Sequence, residues 1–366
     1  MTIKNFFIEY DAINNDNVFT NGDEIKGRII LETSKEMKIQ ALVFTAKGKA
    51  RVVWHEHYGQ NQHRVYWANE KYYEVKHHIL REARQDGSEV IREGRHVFPF
   101  TFKIPDKRIP SSFKSSIGKI NHKLKAELKQ SMKLTKTTKT YFTFVSKGDM
   151  DTAGLLDPQY GCKDKKVKVF GSGTMCLDVH TNKMGYQQGE ALQIMAEIRN
   201  NTSRSVKPKF TLYEKKSFLA QGRRKLYIQE ILKDKAEAVE PSSSTKTVTM
   251  TITIPTELPP SILNCAIIKR EYRLKVLLDI KYSPDAEVKL PIIILPRTRA
   301  TKKQEHDHYR QQQQQQPAAS YGFEAFGASN YPTWNSTANP AAPPPMDHPP
   351  PYEEYPLHPP IYADNL

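Results

Sequence analysis

From Thr247 to Ile254 the chain reads Thr-Val-Thr-Met-Thr-Ile-Thr-Ile, with every even position apolar and every odd one threonine. Such period-two alternation is what a strand with one face on a core requires. Tyr272-Arg-Leu-Lys-Val-Leu-Leu-Asp-Ile-Lys-Tyr282 repeats the pattern with mostly charged odd positions, and Phe98, Phe100, Phe102 and Ile104 alternate likewise. Pro99 lies inside that last run and places it at a sheet edge or a bulge, because proline cannot donate to a ladder. No stretch of comparable length shows a helical period. The pattern predicts an all-β body, and strands with one apolar face pack as sandwiches.

The body also repeats itself. A shift of 150 residues carries Phe98, Phe100, Phe102, Ile104 and Pro105 onto Val248, Met250, Ile252, Ile254 and Pro255. The same shift takes Pro110-Ser111 to Pro260-Ser261, and Leu124-Lys125-Ala126 with Leu128 to Leu274-Lys275-Val276 with Leu278. A weaker echo, offset by 167, pairs Asn21-Gly22-Asp23-Glu24 with Gln188-Gly189-Glu190. Each reads as a glycine-acid turn leading into a strand. The expected architecture is two related β-sandwiches in tandem, residues 1–155 and 156–297, joined within the Gly-, Asp- and Lys-rich segment 146–168.

After Pro296 the composition changes. Charged residues give way to six glutamines, Gln311 to Gln316, and the remaining stretch holds 12 of the chain's 24 prolines. A segment so poor in apolar residues cannot offset its ordering entropy, so residues 298–366 are expected to form a disordered Gln/Pro-rich tail. At 366 residues the chain has room for two ordinary domains and such a tail. Glu9 and Asp11 interrupt the only apolar patch near the start, so no signal peptide is expected. Three widely spaced cysteines, Cys162, Cys176 and Cys265, suit reduced thiols in a soluble cytosolic protein.

The net charge of +15 divides unevenly: the tail carries −3 and the body +18. Such a body favours anionic surfaces. In Lys123-Leu-Lys-Ala-Glu-Leu-Lys129 the alternation turns Lys123, Lys125 and Lys129 to one side, so a sheet face becomes a row of ammonium groups. The bland reading is a solvated face, and the sharper one is a surface for lipid headgroups or phosphorylated receptor tails. Nucleic acid is disfavoured as a partner, since no recognised nucleic-acid motif accompanies the charge.

The tail displays two P-P-x-Y motifs, Pro349-Pro350-Pro351-Tyr352 and Pro359-Pro360-Ile361-Tyr362. Three residues per turn of polyproline II put Pro349 and Tyr352 on one face, and Pro359 and Tyr362 on another such face. A WW domain offers an aromatic groove for the proline and a pocket for the tyrosine. Chance in so biased a segment would give well under one match. The candidate WW-binding residues are therefore Pro349, Pro350, Tyr352, Pro359, Pro360 and Tyr362.

Other signals are weaker. Asp151-Thr-Ala-Gly-Leu155-Leu156 has the shape of an acidic dileucine sorting signal, although paired leucines more often pack. The histidine pairs His55/His57, His77/His78 and His306/His308 lack a cysteine or carboxylate at ligand spacing, so no metal is expected. No phosphate loop, serine elbow, zincin helix or family-type nucleophilic cysteine is present, so neither catalysis nor a cofactor is expected.

Together, Val97-Phe-Pro-Phe-Thr-Phe-Lys-Ile-Pro105 with Ile109-Pro-Ser-Ser-Phe113, and Leu258-Pro-Pro-Ser-Ile-Leu-Asn-Cys265 with Tyr272-Arg-Leu-Lys275, resemble the alpha-arrestins. The resemblance implies two arrestin-like, immunoglobulin-like β-sandwiches over residues 1 to about 297, followed by a PPxY tail. It implies an adaptor that brings WW-domain HECT-type ubiquitin ligases to membrane receptor or transporter cargo, and so promotes endocytosis and endosomal or lysosomal sorting. The expected location is cytoplasmic, peripherally on the plasma membrane and endosomes. Anionic lipid headgroups are a further candidate partner. The alternative is an arrestin-fold signalling scaffold or redox regulator. One family branch binds thioredoxin through a cysteine that would fall near Ser242 to Thr245, where this chain has none.

Overall fold

Where the sequence alternates, the chain is strand, and among the described residues there is no helix. The computed structural model describes residues 2–59, 62–81, 89–147, 152–167, 173–279, 285–297 and 353–354. The first half contains β1 (Ile3–Tyr10), β2 (Val18–Phe19), β3 (Glu24–Thr33), β4 (Met37–Ile39), β5 (Ala41–Tyr58), β6 (Gln62–Arg81), β7 (Glu89–Ile91), β8 (Gly94–Lys103), β9 (Phe113–Lys114), β10 (Gly118–Lys129) and β11 (Lys136–Phe144). The second contains β12 (Gln159–Val167), β13 (Gly173–Thr181), β14 (Gly185–Gln187), β15 (Ala191–Asn201), β16 (Lys207–Ala220), β17 (Arg223–Lys235), β18 (Ser242–Thr253), β19 (Ile268–Asp279) and β20 (Ala286–Leu295). A last strand, β21 (Glu353–Glu354), comes from the tail.

The first sandwich packs a β1-β3-β8-β21 sheet on a β2-β11-β10-β5-β6 sheet. The second packs β12-β13-β15-β18 on β14-β20-β19-β16-β17. The two orders superimpose: β8 and β18 hold the same place, as do β10 and β19, which are the strands related by the 150-residue shift. Each short strand, β2 or β14, runs parallel to the last strand of its sandwich. Equivalent hydrogen bonds recur as well. The Ser111 hydroxyl accepts from Ser146 N and that of Ser261 from Ile294 N, at 2.9 and 3.0 Å. Asp23 caps Thr20 N at 2.8 Å and Glu190 caps Gln187 N at 2.9 Å, the 167-residue echo in atomic form. Gly22 and Gly189 turn at φ 76° and 86°, which L side chains resist.

Alternation decides what is buried. Phe98, Phe100, Phe102 and Phe44 fill the first core, and Phe100 lies 4.4 Å from Phe44. Leu274, Val276, Leu278 and Ile252 fill the second. The joint between the sandwiches falls between the end of β11 and the start of β12, which pairs with β13 as an added strand. In that joint Leu155 is buried against Ile293 and Leu295, so this half of the dileucine packs, while Leu156 is exposed.

A third, smaller core sits where the sandwiches meet. Val52, Trp54, Tyr66 and Phe113 of the first contact Phe218 and Ile268 of the second. Gly118 makes that approach feasible, since a Cβ there would lie 2.6 Å from the Phe218 ring.

The expectation of a disordered tail falls on residues outside those described, with one exception. Glu353 and Glu354 pair in parallel with His96 and Val97 of β8. This edge of β8 is open because β3 occupies the other one, and an extended segment satisfies its backbone groups. Pro99, lacking an N–H, lies two residues past the last pairing, in keeping with its predicted edge position.

Candidate functional site: a cationic sheet face

The register of β10 against its neighbours builds the site. Lys123 stands directly opposite Lys47 of β5, and Lys125 opposite Lys139 of β11. One step further, Asn121 faces Lys49, which in turn faces Lys71 of β6. Lys119 faces Arg51. All lie on the side away from the core, because Leu124, Ala126 and Leu128 turn inward. Lys129 shares the face at the far end of β10 and is exposed.

Few acids balance these cations. Glu74 takes Lys47 at 2.9 Å and Lys71 at 3.6 Å, and Glu127 takes Lys125 at 2.7 Å. Partial burial holds the Lys123 amine below the ordinary lysine range, and Lys49, Lys125, Lys47 and Lys139 push in the same direction. Like charges placed directly across a sheet destabilise it. The fold therefore holds a cluster of cations that an added anion would relieve.

Beyond this cluster β5 and β6 continue alone. The β10 ladder stops at Val52, with one further bond from Val53 N to Ile117 O at 2.8 Å, so residues 53–58 and 62–67 form a two-stranded ribbon whose reverse side packs on the second sandwich. One side of it is fixed: Trp54 and Tyr66 stack at 5.3 Å and are buried in the junction core. The other side continues the cationic face and bears Trp67 opposite Val53, Val65 opposite His55, and His63 opposite His57, the last pair with rings 4.4 Å apart. Trp67 is 55% exposed and Val65 44%; on β11 Tyr141, opposite Lys123 and so on this face, is 49% exposed.

Of the residues singled out in the sequence, Lys123, Lys125 and Lys129 share this face. Pro349, Pro350, Tyr352, Pro359, Pro360 and Tyr362 lie outside the described residues. The sequence reading missed Lys47, Lys49, Arg51, Lys71 and Trp67, because only the register across β5, β6, β10 and β11 brings them beside Lys123.

It also missed two polar links at the junction. Glu214, 5% exposed, accepts from Arg270 Nε and Lys216 Nζ, both at 2.9 Å, while the Arg270 guanidinium stands 4.9 Å from the Phe113 ring centre. Glu70 accepts from Ala266 N at 2.8 Å, and the Tyr72 hydroxyl donates to Cys265 Sγ at 3.1 Å. Burial pushes the Cys265 thiol up, which suits packing rather than redox reactivity. Among the described residues no His, Cys, Asp and Glu group is arranged to hold a metal ion, and no helix is long and apolar enough to cross a membrane.

Comparison with known proteins agrees with this architecture. The family model "Arrestin (or S-antigen), N-terminal domain" matches residues 6–151, and "Arrestin (or S-antigen), C-terminal domain" matches residues 171–298. The chain belongs to the alpha-arrestin family. Arrestin domain-containing protein 4 of Homo sapiens is 27% identical over 283 residues, covering 75% of this chain and 68% of that protein. Thioredoxin-interacting protein of Pongo abelii is 26% identical over 297 residues, covering 79% of this chain and 74% of that protein. For this alpha-arrestin, membership supports an arrestin-type adaptor or scaffold, and it fits a protein without catalysis.

Proposed function

We propose that this alpha-arrestin recruits WW-domain HECT-type ubiquitin ligases to membrane receptors or transporters, promoting their ubiquitination, endocytosis and endosomal or lysosomal sorting. The division of labour follows the chain: residues 1–155 and 156–297 select cargo, and residues 298–366 recruit the ligase. Two PPxY motifs behind a double arrestin sandwich carry this reading. Pro349, Pro350 and Tyr352, with Pro359, Pro360 and Tyr362, are the ligase contacts, and the protein works from the cytoplasm, peripherally on plasma membrane and endosomes.

Co-precipitation of the full chain with a multi-WW ligase, parent against the Tyr352→Ala/Tyr362→Ala double variant, tests it. The double variant is expected to lose the ligase and the ubiquitination of cargo. Unchanged cargo ubiquitination would leave a signalling scaffold instead. A thioredoxin-type redox role is disfavoured, because residues 242–245 read Ser-Ser-Ser-Thr and hold no cysteine.

A further inference from the structure

We propose that the outer face of the β2-β11-β10-β5-β6 sheet docks on an anionic lipid bilayer, its lysines meeting headgroup phosphates while Trp67 and Val65, on the same face of the β5–β6 ribbon, enter the interface. Proximity to a bilayer rests on the proposed role as a membrane-cargo adaptor, whereas the surface itself is defined by its charge and its exposed aromatic residue.

Charge complementarity is the first. Lys47, Lys49, Arg51, Lys71, Lys119, Lys123, Lys125 and Lys139 share one face with only Glu74 and Glu127 among them to offset the charge. No carboxylate pairs with Lys123 among the described residues. Juxtaposed cations near an anionic leaflet gain attraction that falls off within a Debye length, so the binding is sensitive to salt.

Continuity of that face with an exposed aromatic is the second, and it selects the bilayer over a phosphorylated peptide. A phosphopeptide needs cations and backbone partners; it has no use for an indole beyond the end of the charged rows. Trp67 sits two residues from Asn69, the partner of Arg51, and its side chain lies on the same side as Val53, Val65 and Tyr141. Tryptophan with a half-exposed ring is the side chain best matched to the headgroup boundary, and a cationic surface flanked by such residues is the pattern of an interfacial anchor. The ribbon is also held rigid. Trp54 and Tyr66 on its reverse side are locked into the junction core, so Trp67 is displayed rather than slack. Trp67 faces Val53, the first pair past the β10 ladder, so it lies directly beside the charged rows.

Vesicle co-sedimentation of the full chain tests this, using phosphatidylcholine vesicles with and without phosphatidylserine, and a multiply phosphorylated peptide in a parallel titration. The parent is expected to bind only the phosphatidylserine vesicles and to release as salt is raised. Lys49→Glu/Lys123→Glu should weaken that binding on the order of tenfold or more, from the loss of attraction at each reversed charge. Trp67→Ser should weaken it several-fold with the salt dependence unchanged. Both variants should keep the parent's thermal unfolding midpoint, which shows that they are folded, and bind a WW domain as the parent does, which separates this surface from the tail motifs. Parent binding to phosphatidylserine vesicles that neither variant reduces would overturn the proposal. So would tight binding of the phosphopeptide with none to vesicles, which would reassign the face to a phosphorylated tail.

Discussion

His122 on β10 makes the first sandwich sensitive to acid. The ring is 1% exposed, packed 4.7 Å from Phe144 and 5.7 Å from Phe142. Its Nε2 donates to the Pro110 carbonyl at 3.1 Å and its Nδ1 accepts from the Tyr73 hydroxyl at 3.1 Å, a pairing that fits the neutral tautomer. A second proton would sit on Nδ1 and turn the Tyr73 hydroxyl from donor to acceptor. Burial lowers the ring to about 4 from 6.5, a shift that the Pro110 hydrogen bond opposes only in part. In the unfolded chain the imidazole takes its proton near 6.5, so as the pH falls below that value the unfolded state gains protons that the folded state refuses. Stability is then lost between about pH 6.5 and pH 4, and the loss levels off below. At 1.36 kcal/mol per pH unit, moving from about pH 7.4 to about pH 5 should cost about 2 kcal/mol from this group alone.

Urea unfolding of the full chain at those two pH values measures the loss, but carboxylates contribute to it as well. The comparison with His122→Gln isolates the ring, since glutamine can still donate to Pro110 but does not titrate. The pH-induced drop in the variant should be smaller than in the parent by about 2 kcal/mol. Tyr73→Phe serves as a second variant: it keeps the buried imidazole, so the full drop should persist even if overall stability falls. Equal drops in parent and His122→Gln would refute the argument.

Two further outcomes concern the junction. Glu214→Ala should destabilise the protein by roughly 3–5 kcal/mol, read as a lower thermal midpoint, because Arg270 and Lys216 lose their shared carboxylate in a buried site. An unchanged midpoint would mean that water replaces the carboxylate there. Gly118→Val should cost about 1–3 kcal/mol by driving its side chain into the Phe218 ring, and limited proteolysis should then cut between the sandwiches sooner than in the parent.

What could be read in advance followed from local periodicity. The strands around Phe98–Ile104 and Thr247–Ile254, their kinship at 150 residues and the outward turn of Lys123 and Lys125 all follow from period two and from a shift of the chain against itself. What could not be read depends on register between distant strands. Lys47 meets Lys123, and Glu214 meets Arg270, only because particular residues pair across a sheet. The alternation of β6 is also broken by a bulge between the Gly48 and Lys49 pairings, which leaves Tyr72 as the extra residue; this hides the outward position of Trp67 from any pattern running through Tyr72 and Tyr73. β12 escaped notice because its sequence, Gln-Tyr-Gly-Cys-Lys-Asp-Lys-Lys-Val, has almost no apolar face to alternate.

The pairing of Glu353–Glu354 with β8 changes what kind of object the tail is. A segment attached at one end explores a sphere around its root. Here the chain is held to the body in β20 and again, at Glu353–Glu354, on the edge of β8. Tyr352 is one residue before the paired Glu353 and Tyr362 eight residues after Glu354 in sequence, so under the proposed function a ligase captured at Tyr352 would be held closer to the edge of the first sandwich. Two motifs nearly identical in sequence would thus act on leashes of different length, and the local concentration of a recruited ligase would depend on which of them it occupies.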